Sequence, residues 1–464
     1  MRLLTNIFTA ATLVVLAWLL FTEDLKAVAI LLLVIAGTVV VSIIVRARWP
    51  LGAVLVLIIG SATPRLALTL FGLHVRPEHL AIGLVVLALS MQALKGSIWP
   101  GLKFQTYDYF LLAYVGLNFL TSAVTSPDPH KTLRWAALNA IVISPFFLLR
   151  LLIKDEHRLY KSVQMLLWVG AAEAAFGIIC FLSNRAFNTT LGVSAEQYGF
   201  MPGTHGTQYE ANLFGSYTAC CAVMFLAFFL LSHEPRAKFG WGLCITLIGA
   251  LISLARSVLF ALPVATVFVV WVTLKTGHLR IRRLLPLGVG VVLVLLAISP
   301  LLLNFVSERI GTIDLSQPSA DDTTVVRLIQ TAAALEDVRT HPIIGTGTAS
   351  FQLLFNWDDY LPGMGADTDE GGWIGNSPVR ILHDTGIVGL AIFALFVWTL
   401  ASAVRKAMRI APSHSRNVLV ALSAGLILYA ITFQATEATI LAFTWVHLGL
   451  LGAAVQIGHT RHAV

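Results

Sequence analysis

Arg256 sits where a charge is least expected. Ser253-Leu-Ala-Arg-Ser257 interrupts an otherwise nearly continuous apolar run from Trp241 to Leu274. An arginine at the centre of a bilayer costs at least about 2.5–3.5 kcal/mol on insertion scales. Arg256 therefore belongs at a membrane boundary or in a polar cavity. One reading is a side chain that snorkels from a helix end. The other is an anion clamp, because guanidinium binds phosphate oxygens two at a time and stays charged when buried.

Three further segments carry chemistry-bearing residues. Pro202-Gly-Thr-His-Gly-Thr-Gln-Tyr-Glu-Ala-Asn-Leu-Phe-Gly215 delivers His205, Glu210 and Asn212 to a helix start. There Glu210 and Asn212 fit helix capping as well as substrate contact. Arg327 precedes His341-Pro-Ile-Ile-Gly-Thr-Gly347, and Trp373-Ile-Gly-Asn-Ser-Pro-Val-Arg-Ile-Leu-His-Asp-Thr-Gly386 brings Asn376, Arg380, His383 and Asp384 to another helix. Between them lie Asn356-Trp-Asp-Asp-Tyr360 and an acidic, glycine-rich run over 363–372. Trp357 and Trp373 among carboxamides and carboxylates suit a sugar, whose apolar face lies on a ring while its hydroxyls take hydrogen bonds. Interfacial aromatic belts and a solvated acidic loop explain the same residues, and Asp367, Asp369 and Glu370 make only a weak calcium pattern. No metal site and no cofactor are expected. Glu173 falls inside an apolar run, either as a functional intramembrane carboxylate or as a hydrogen-bonded packing residue, and Glu437 falls in a late turn.

The elements that hold these residues are membrane helices. Of 464 residues, 57% are hydrophobic and 12% charged, and the mean hydropathy is +0.82. Soluble domains are about half apolar and about a quarter charged. Apolar periodicity predicts helices near 7–22, 27–45, 51–70, 79–94, 107–122, 134–153, 159–182, 212–232, 240–254, 257–275, 284–305, 386–404, 417–433 and 439–458. The fold class is all-α, a polytopic transmembrane bundle of about 12–14 helices with one long, partly helical outer loop. The organisation reads as membrane helices over 1–182, a second membrane region over 183–458 that contains the 306–385 loop, and a tail at 459–464. The first apolar stretch reads as an uncleaved helix, since no small-residue cleavage site follows it. Cys180, Cys220, Cys221 and Cys244 lie within apolar runs without zinc or disulfide spacing and read as small buried hydrophobes.

Charge sets the topology. With both termini cytoplasmic, 20 of the 31 basic residues and only four of the 24 acidic ones fall on the inner side, the positive-inside pattern. The net charge of +7 is thus mostly a topology signal, and nucleic-acid binding is excluded. The polar segments 123–133, 183–211, the turn at Arg256, 306–385 and 434–437 then share the outer side. A connection of about eighty residues far exceeds ordinary loops, so structure within it is expected. Thr323 or Thr324 can cap a helix through Val325, Leu328, Ile329, Ala332 and Leu335, ending before His341-Pro342 and lying on the membrane surface.

These segments together resemble the bacterial O-antigen ligase and polysaccharide polymerase superfamily. The similarity rests on the Gly203-Thr204 to Asn212 loop, Ser253-Arg256-Ser257, Arg327 with His341-Pro-Ile-Ile-Gly-Thr-Gly347, and Asn376 through Thr385-Gly386-Ile-Val-Gly389. Residues 1–180 match only in hydropathy. The resemblance implies a multi-pass protein of the bacterial inner membrane that transfers glycan from an undecaprenyl-diphosphate carrier, on the periplasmic face, to a glycan or lipid acceptor. The bilayer and other polysaccharide-assembly membrane proteins are its expected partners. Ligases of this family carry His-Asn near the end of the long loop; here Gly375-Asn376 stands there, and His383 occupies a position where many members have glutamate. The arginine usual before the Gly-Thr loop is absent, Arg185 being the nearest upstream.

In that scheme the reaction is metal-independent, and Arg256, helped by Arg327 or Arg380, binds the diphosphate leaving group. His383, Glu210 and Asp384 are the candidate bases, His383 first because an ordinary imidazole titrates near neutrality. His205, Asn212, Trp357, Trp373 and Asn376 are candidate glycan contacts. The missing ligase-type histidine favours a polymerase over an O-antigen ligase acting on lipid A core. Two other classes stand beside it: a flippase for lipid-linked sugar, which predicts midplane charges and repeated halves, and a structural anchor, which predicts that the outer arginines tolerate substitution.

Overall fold

The computed structural model describes residues 49–70, 73–94, 102–194, 202–232, 236–275, 323–360 and 372–460. The helices expected at 7–22, 27–45 and 284–305, and the acidic run with Asp367, Asp369 and Glu370, lie outside them. Elsewhere every expected span falls on a helix. The first described helix, α1 (Trp49–Ala62), is followed by a hairpin of β1 (Leu68–Leu70) and β2 (Leu73–Val75) and then α2 (Pro77–Leu94). The span expected over 51–70 therefore ends early: Pro64 and Arg65 break the helix, and the chain returns through the hairpin.

Next come α3 (Thr106–Val124), α4 (Pro129–Ile143) and α5 (Pro145–Leu152). The last two are one crossing bent at Pro145, whose ring removes a backbone donor. The long α6 (Glu156–Phe187) leads into a loop pinned by β3 (Val193–Ser194) against β4 (Gly203–Thr204), then α7 (Ala211–Leu231), α8 (Arg236–Ile252) and α9 (Arg256–Lys275). Within the outer loop α10 (Thr323–Val338) forms as the apolar spacing predicts, followed by the short α11 (Phe351–Leu354). Finally α12 (Ser377–Ile410), α13 (Ser413–Thr432) and α14 (Ala442–Thr460) close the chain. The fold is an all-α polytopic bundle; among the described residues seven helical spans are long and apolar enough to cross a membrane.

At the centre, α7 is buried along almost its whole length, with α6, α8, α9 and α13 packed around it. Small residues make this approach possible, as is usual where apolar helices associate in lipid. On α6, a Cβ at Gly170 would stand 2.3 Å from Cys221 Sγ, and one at Gly177 would stand 2.3 Å from the Phe214 ring. Three cysteines are buried as expected, whereas Cys244 faces outward from α8.

The two ends of the bundle differ in chemistry. At one end Arg150 is fully buried, pairs with Asp108 and donates to the Lys103 carbonyl at 3.1 Å, while Ser415 donates to Glu156 at 2.6 Å. The motif-bearing segments meet at the other end. There a small satellite core of Ala333, Ala334, Phe351, Phe355 and Ile374 seats α10 on the bundle.

Candidate functional site

The turn between α8 and α9 is built by Ser253. Its hydroxyl donates to the Ala250 carbonyl at 2.6 Å and accepts from Ala255 N–H at 3.2 Å. Leu254 is held in the left-handed region at φ 56°, a conformation that costs about 1–2 kcal/mol for a residue with a side chain. The strained turn places Arg256 and Ser257 at the first positions of α9. Gly215 on α7 sets its depth, since a Cβ there would lie 2.3 Å from Ser253 Oγ.

Arg256 and Ser257 open onto a cavity of about 340 Å³. Its other walls are Asn212 at the start of α7, Leu254, Arg327, Leu328 and Thr331 on α10, Gly375 and Asn376 at the start of α12, and Gln434-Ala435 after α13. Three helices thus point their N-terminal ends at one space that two guanidiniums also border. Each such end carries a partial positive charge. Ser257 Oγ is buried and has no hydrogen-bond partner among the described residues.

Arg327 bridges the cavity wall. It donates to the Ala435 carbonyl and to Glu210 Oε2 at 3.3 Å. Glu210 occupies the N-cap position of α7, yet its side chain makes no capping bond; the carboxylate, half exposed, reaches Arg327 instead. Asn376 does cap: its Oδ1 accepts from Val379 N–H at 3.0 Å and its Nδ2 donates to the Gln434 carbonyl at 2.9 Å. Gly375 leaves room for the arginine, a Cβ there falling 3.5 Å from Arg327.

The remaining expected site residues lie elsewhere. Arg380, buried, pairs with Asp384 at 3.3 Å and with Glu437 at 3.1 Å. His383 is fully buried, with Nδ1 3.1 Å from Asp384 and Nε2 3.3 Å from Asp337 on α10. The Thr346 hydroxyl also lies 3.3 Å from both ring nitrogens, so every polar neighbour of the ring belongs to this buried cluster. This network pins α10 to α12 and does not line the cavity. Trp357 packs edge-on against Phe355 at 4.8 Å, and Trp373 against Trp135 at 5.9 Å; neither lines the cavity.

The His341–Gly347 segment serves α12 directly. Gly386 (φ 65°, ψ −170°) breaks the helical path inside α12, which frees backbone groups that must find other partners. Thr346 and Gly347 N–H donate to the carbonyls of His383 and Asp384 at 2.9 and 3.0 Å. In return the Ile387 and Val388 N–H groups donate to the Pro342 and Ile343 carbonyls at 2.9 and 3.2 Å. The expected helix start at 386 is therefore a kink, and the true start lies at Ser377.

The Gly203–Asn212 loop is anchored from within the bundle. Glu173 accepts from Thr207 N–H and hydroxyl. His205 Nδ1 faces the Gly206 carbonyl at 2.9 Å, which makes it the donor there and leaves Nε2 to accept from Arg65. Burial, with Arg65 adding repulsion, pushes the His205 imidazole down to about 4. This ring is a neutral packing group; it is not among the cavity's walls.

Residue type and spacing had not singled out Leu328, Thr331, Gln434 and Ala435 as part of the site. Leu328 and Thr331 sit within one turn of Arg327, so helical spacing could have found them. The Gln434 turn offered only its neighbour Glu437.

Among the described residues no group of three or more His, Cys, Asp or Glu is arranged to hold a metal ion. A comparison with protein families finds one described as O-Antigen ligase matching residues 241–394. That stretch contributes Leu254, Arg256, Ser257, Arg327, Leu328, Thr331, Gly375 and Asn376 to the cavity. No curated protein matches the chain. Over residues 241–394, about a third of the chain, this membrane protein is thus similar to the O-antigen ligase family, which supports the resemblance drawn from its motifs.

Proposed function

We propose that the protein is a glycosyltransferase of the bacterial inner membrane that elongates surface polysaccharide, taking glycan from an undecaprenyl-diphosphate carrier on the periplasmic face. The convergence of Arg256, Arg327 and three helix N-termini on one cavity carries this reading. A diphosphate is the group such a site favours, because fixed cations and aligned dipoles stabilise the charge that develops as it leaves. The cavity volume lies at the lower end for ligand sites, suited to a diphosphate and its first sugar, with the rest of the glycan outside.

In this mechanism an acceptor hydroxyl attacks the anomeric carbon of the donor. A new carbon–oxygen bond forms, the bond to the diphosphate oxygen breaks, and the diphosphate departs with the electron pair onto Arg256 and Arg327, Ser257 Oγ donating to it. Glu210 takes the hydroxyl proton. It is the half-exposed carboxylate beside the cavity-lining Arg327, whereas His383 is fully buried between Asp337 and Asp384 and is not among the cavity's walls. The proposed reaction is metal-independent. Gly375 occupies the position where the similar ligases carry histidine, which favours a polymerase that extends one carrier-linked glycan with another.

Deletion of the gene, followed by analysis of carrier-linked glycan, tests this reading. Single repeat units accumulating on the carrier, with long polymer lost, support polymerisation; full-length polymer left on the carrier would show a ligase instead. Unchanged glycan would refute both.

A further inference from the structure

The ion pair between Arg327 and Glu210 joins two groups with opposing tasks. Arg327 lines the cavity that the proposed donor enters, and Glu210 is the proposed proton acceptor. Here they hold each other at 3.3 Å, and a second guanidinium nitrogen of Arg327 is engaged by the Ala435 carbonyl. A carboxylate oxygen that accepts from a guanidinium is turned toward that partner and is not presented to an acceptor hydroxyl. A guanidinium held by a carboxylate is likewise a weaker phosphate ligand. We infer that Glu210 and the donor diphosphate compete for Arg327, so that donor binding releases the carboxylate to act as the base. The inference rests on the proposed function and adds an ordering to it: the base becomes competent only once a leaving group is in place.

Two further observations support the exchange. Glu210 is the N-cap residue of α7 without a capping bond, so local backbone does not retain its side chain. The Arg327 side chain is 30% exposed and that of Glu210 51% exposed, so rearrangement needs no core repacking. By contrast α10 itself is fixed, through Asp337 to His383 and through its satellite core. The exchange therefore falls to two side chains above an immobile frame. Its chemical use is to keep both groups paired while no donor is bound and to free the base at the same moment that the leaving group is seated.

The test measures inorganic pyrophosphate binding to the purified full-length protein in nanodiscs, together with glycan transfer. Glu210→Gln should bind pyrophosphate about 3–10-fold more tightly than the unsubstituted protein, while transfer falls about 100-fold or more. In an Arg327→Ala background the same Glu210→Gln change should bring no gain in affinity. Unchanged or weakened pyrophosphate binding by Glu210→Gln would overturn the competition, as would an equal gain with and without Arg327. If the unsubstituted protein fails to bind pyrophosphate and Arg256→Ala retains transfer, the diphosphate reading itself falls, which separates the two failures.

Discussion

Glu173, inside the membrane-spanning α6, accepts twice from Thr207: from its backbone N–H at 2.8 Å and from its hydroxyl at 2.8 Å. One carboxylate thus ties the loop that ends at Glu210 and Asn212 to the core of the bundle. The contact is close on both sides, for Gly206 sits at φ 55° and a Cβ there would lie 2.5 Å from Glu173 Oε1. Glu173→Leu leaves the Thr207 N–H without its buried acceptor, while the hydroxyl keeps the Ala62 carbonyl at 3.1 Å, at a cost of about 1–3 kcal/mol. Thermal unfolding in detergent should show that loss. Glu173→Gln, which keeps an acceptor, should lose less; equal losses would remove the hydrogen bonds from the account.

The same loop should be acid-sensitive. His205 is pushed down to about 4 by burial and by Arg65, whereas an unfolded imidazole titrates near its ordinary value of about 6.5. Between those values the unfolded chain binds a proton that the folded loop refuses. Stability is thus unaffected by this group above about pH 6.5, falls as pH drops toward about 4, and can lose up to about 3 kcal/mol. Melting temperature measured across that interval should decline less steeply in His205→Gln. Parallel profiles for the two proteins would assign the acid sensitivity elsewhere.

The buried arginine should behave differently from the cavity arginines. Removing Arg380 leaves Glu437 buried without its cation and Asp384 with only His383 and the Ala349 N–H, and breaking such pairs costs about 3–5 kcal/mol. Arg380→Ala should lower the yield of folded protein in size-exclusion profiles, whereas Arg256→Ala should leave the profile intact. A well-folded Arg380→Ala protein would mean that the network on α12 is dispensable.

Gly386 should tolerate no side chain. Its φ of 65° and ψ of −170° belong to a region used almost only by glycine, and a Cβ would meet the Ile343 backbone at 2.3 Å. Gly386→Ala should destabilise by about 1–3 kcal/mol from backbone strain alone, read as loss of folded protein after membrane extraction. Near-normal yield would show that the kink can relax.

What could be read in advance divides by the range of the interaction. Lipid-spanning helices declare themselves through unbroken apolar runs, and Arg256 through its isolation within one. The helix at Thr323–Val338 followed from its apolar spacing; the two threonines expected to cap it are instead its first residues. The hairpin at Leu68–Val75 was hidden because its apolar residues continue the composition of α1, although Pro64 marked the break. The start of α12 was also present in the sequence, as Asn376-Ser-Pro, a cap followed by an early proline; the polar residues after it disguised two helical turns. Contacts distant in sequence had no such signal. Nothing local to Glu210 shows that its carboxylate meets Arg327, 117 residues away, rather than capping α7. Nothing local to His383 shows that Asp337, 46 residues away, closes its second nitrogen.

The central claim is that Arg256 and Arg327 together hold a diphosphate leaving group. Its most direct test is the turnover of lipid-diphosphate-linked glycan by purified protein in nanodiscs, comparing the unsubstituted chain with Arg256→Ala and Arg327→Ala at matched folded concentration. The account predicts that each substitution lowers turnover by about 100–1,000-fold, the usual loss when one fixed group opposite a developing negative charge is removed, with the melting temperature unchanged. Turnover within a few-fold of the unsubstituted protein in both variants would contradict it.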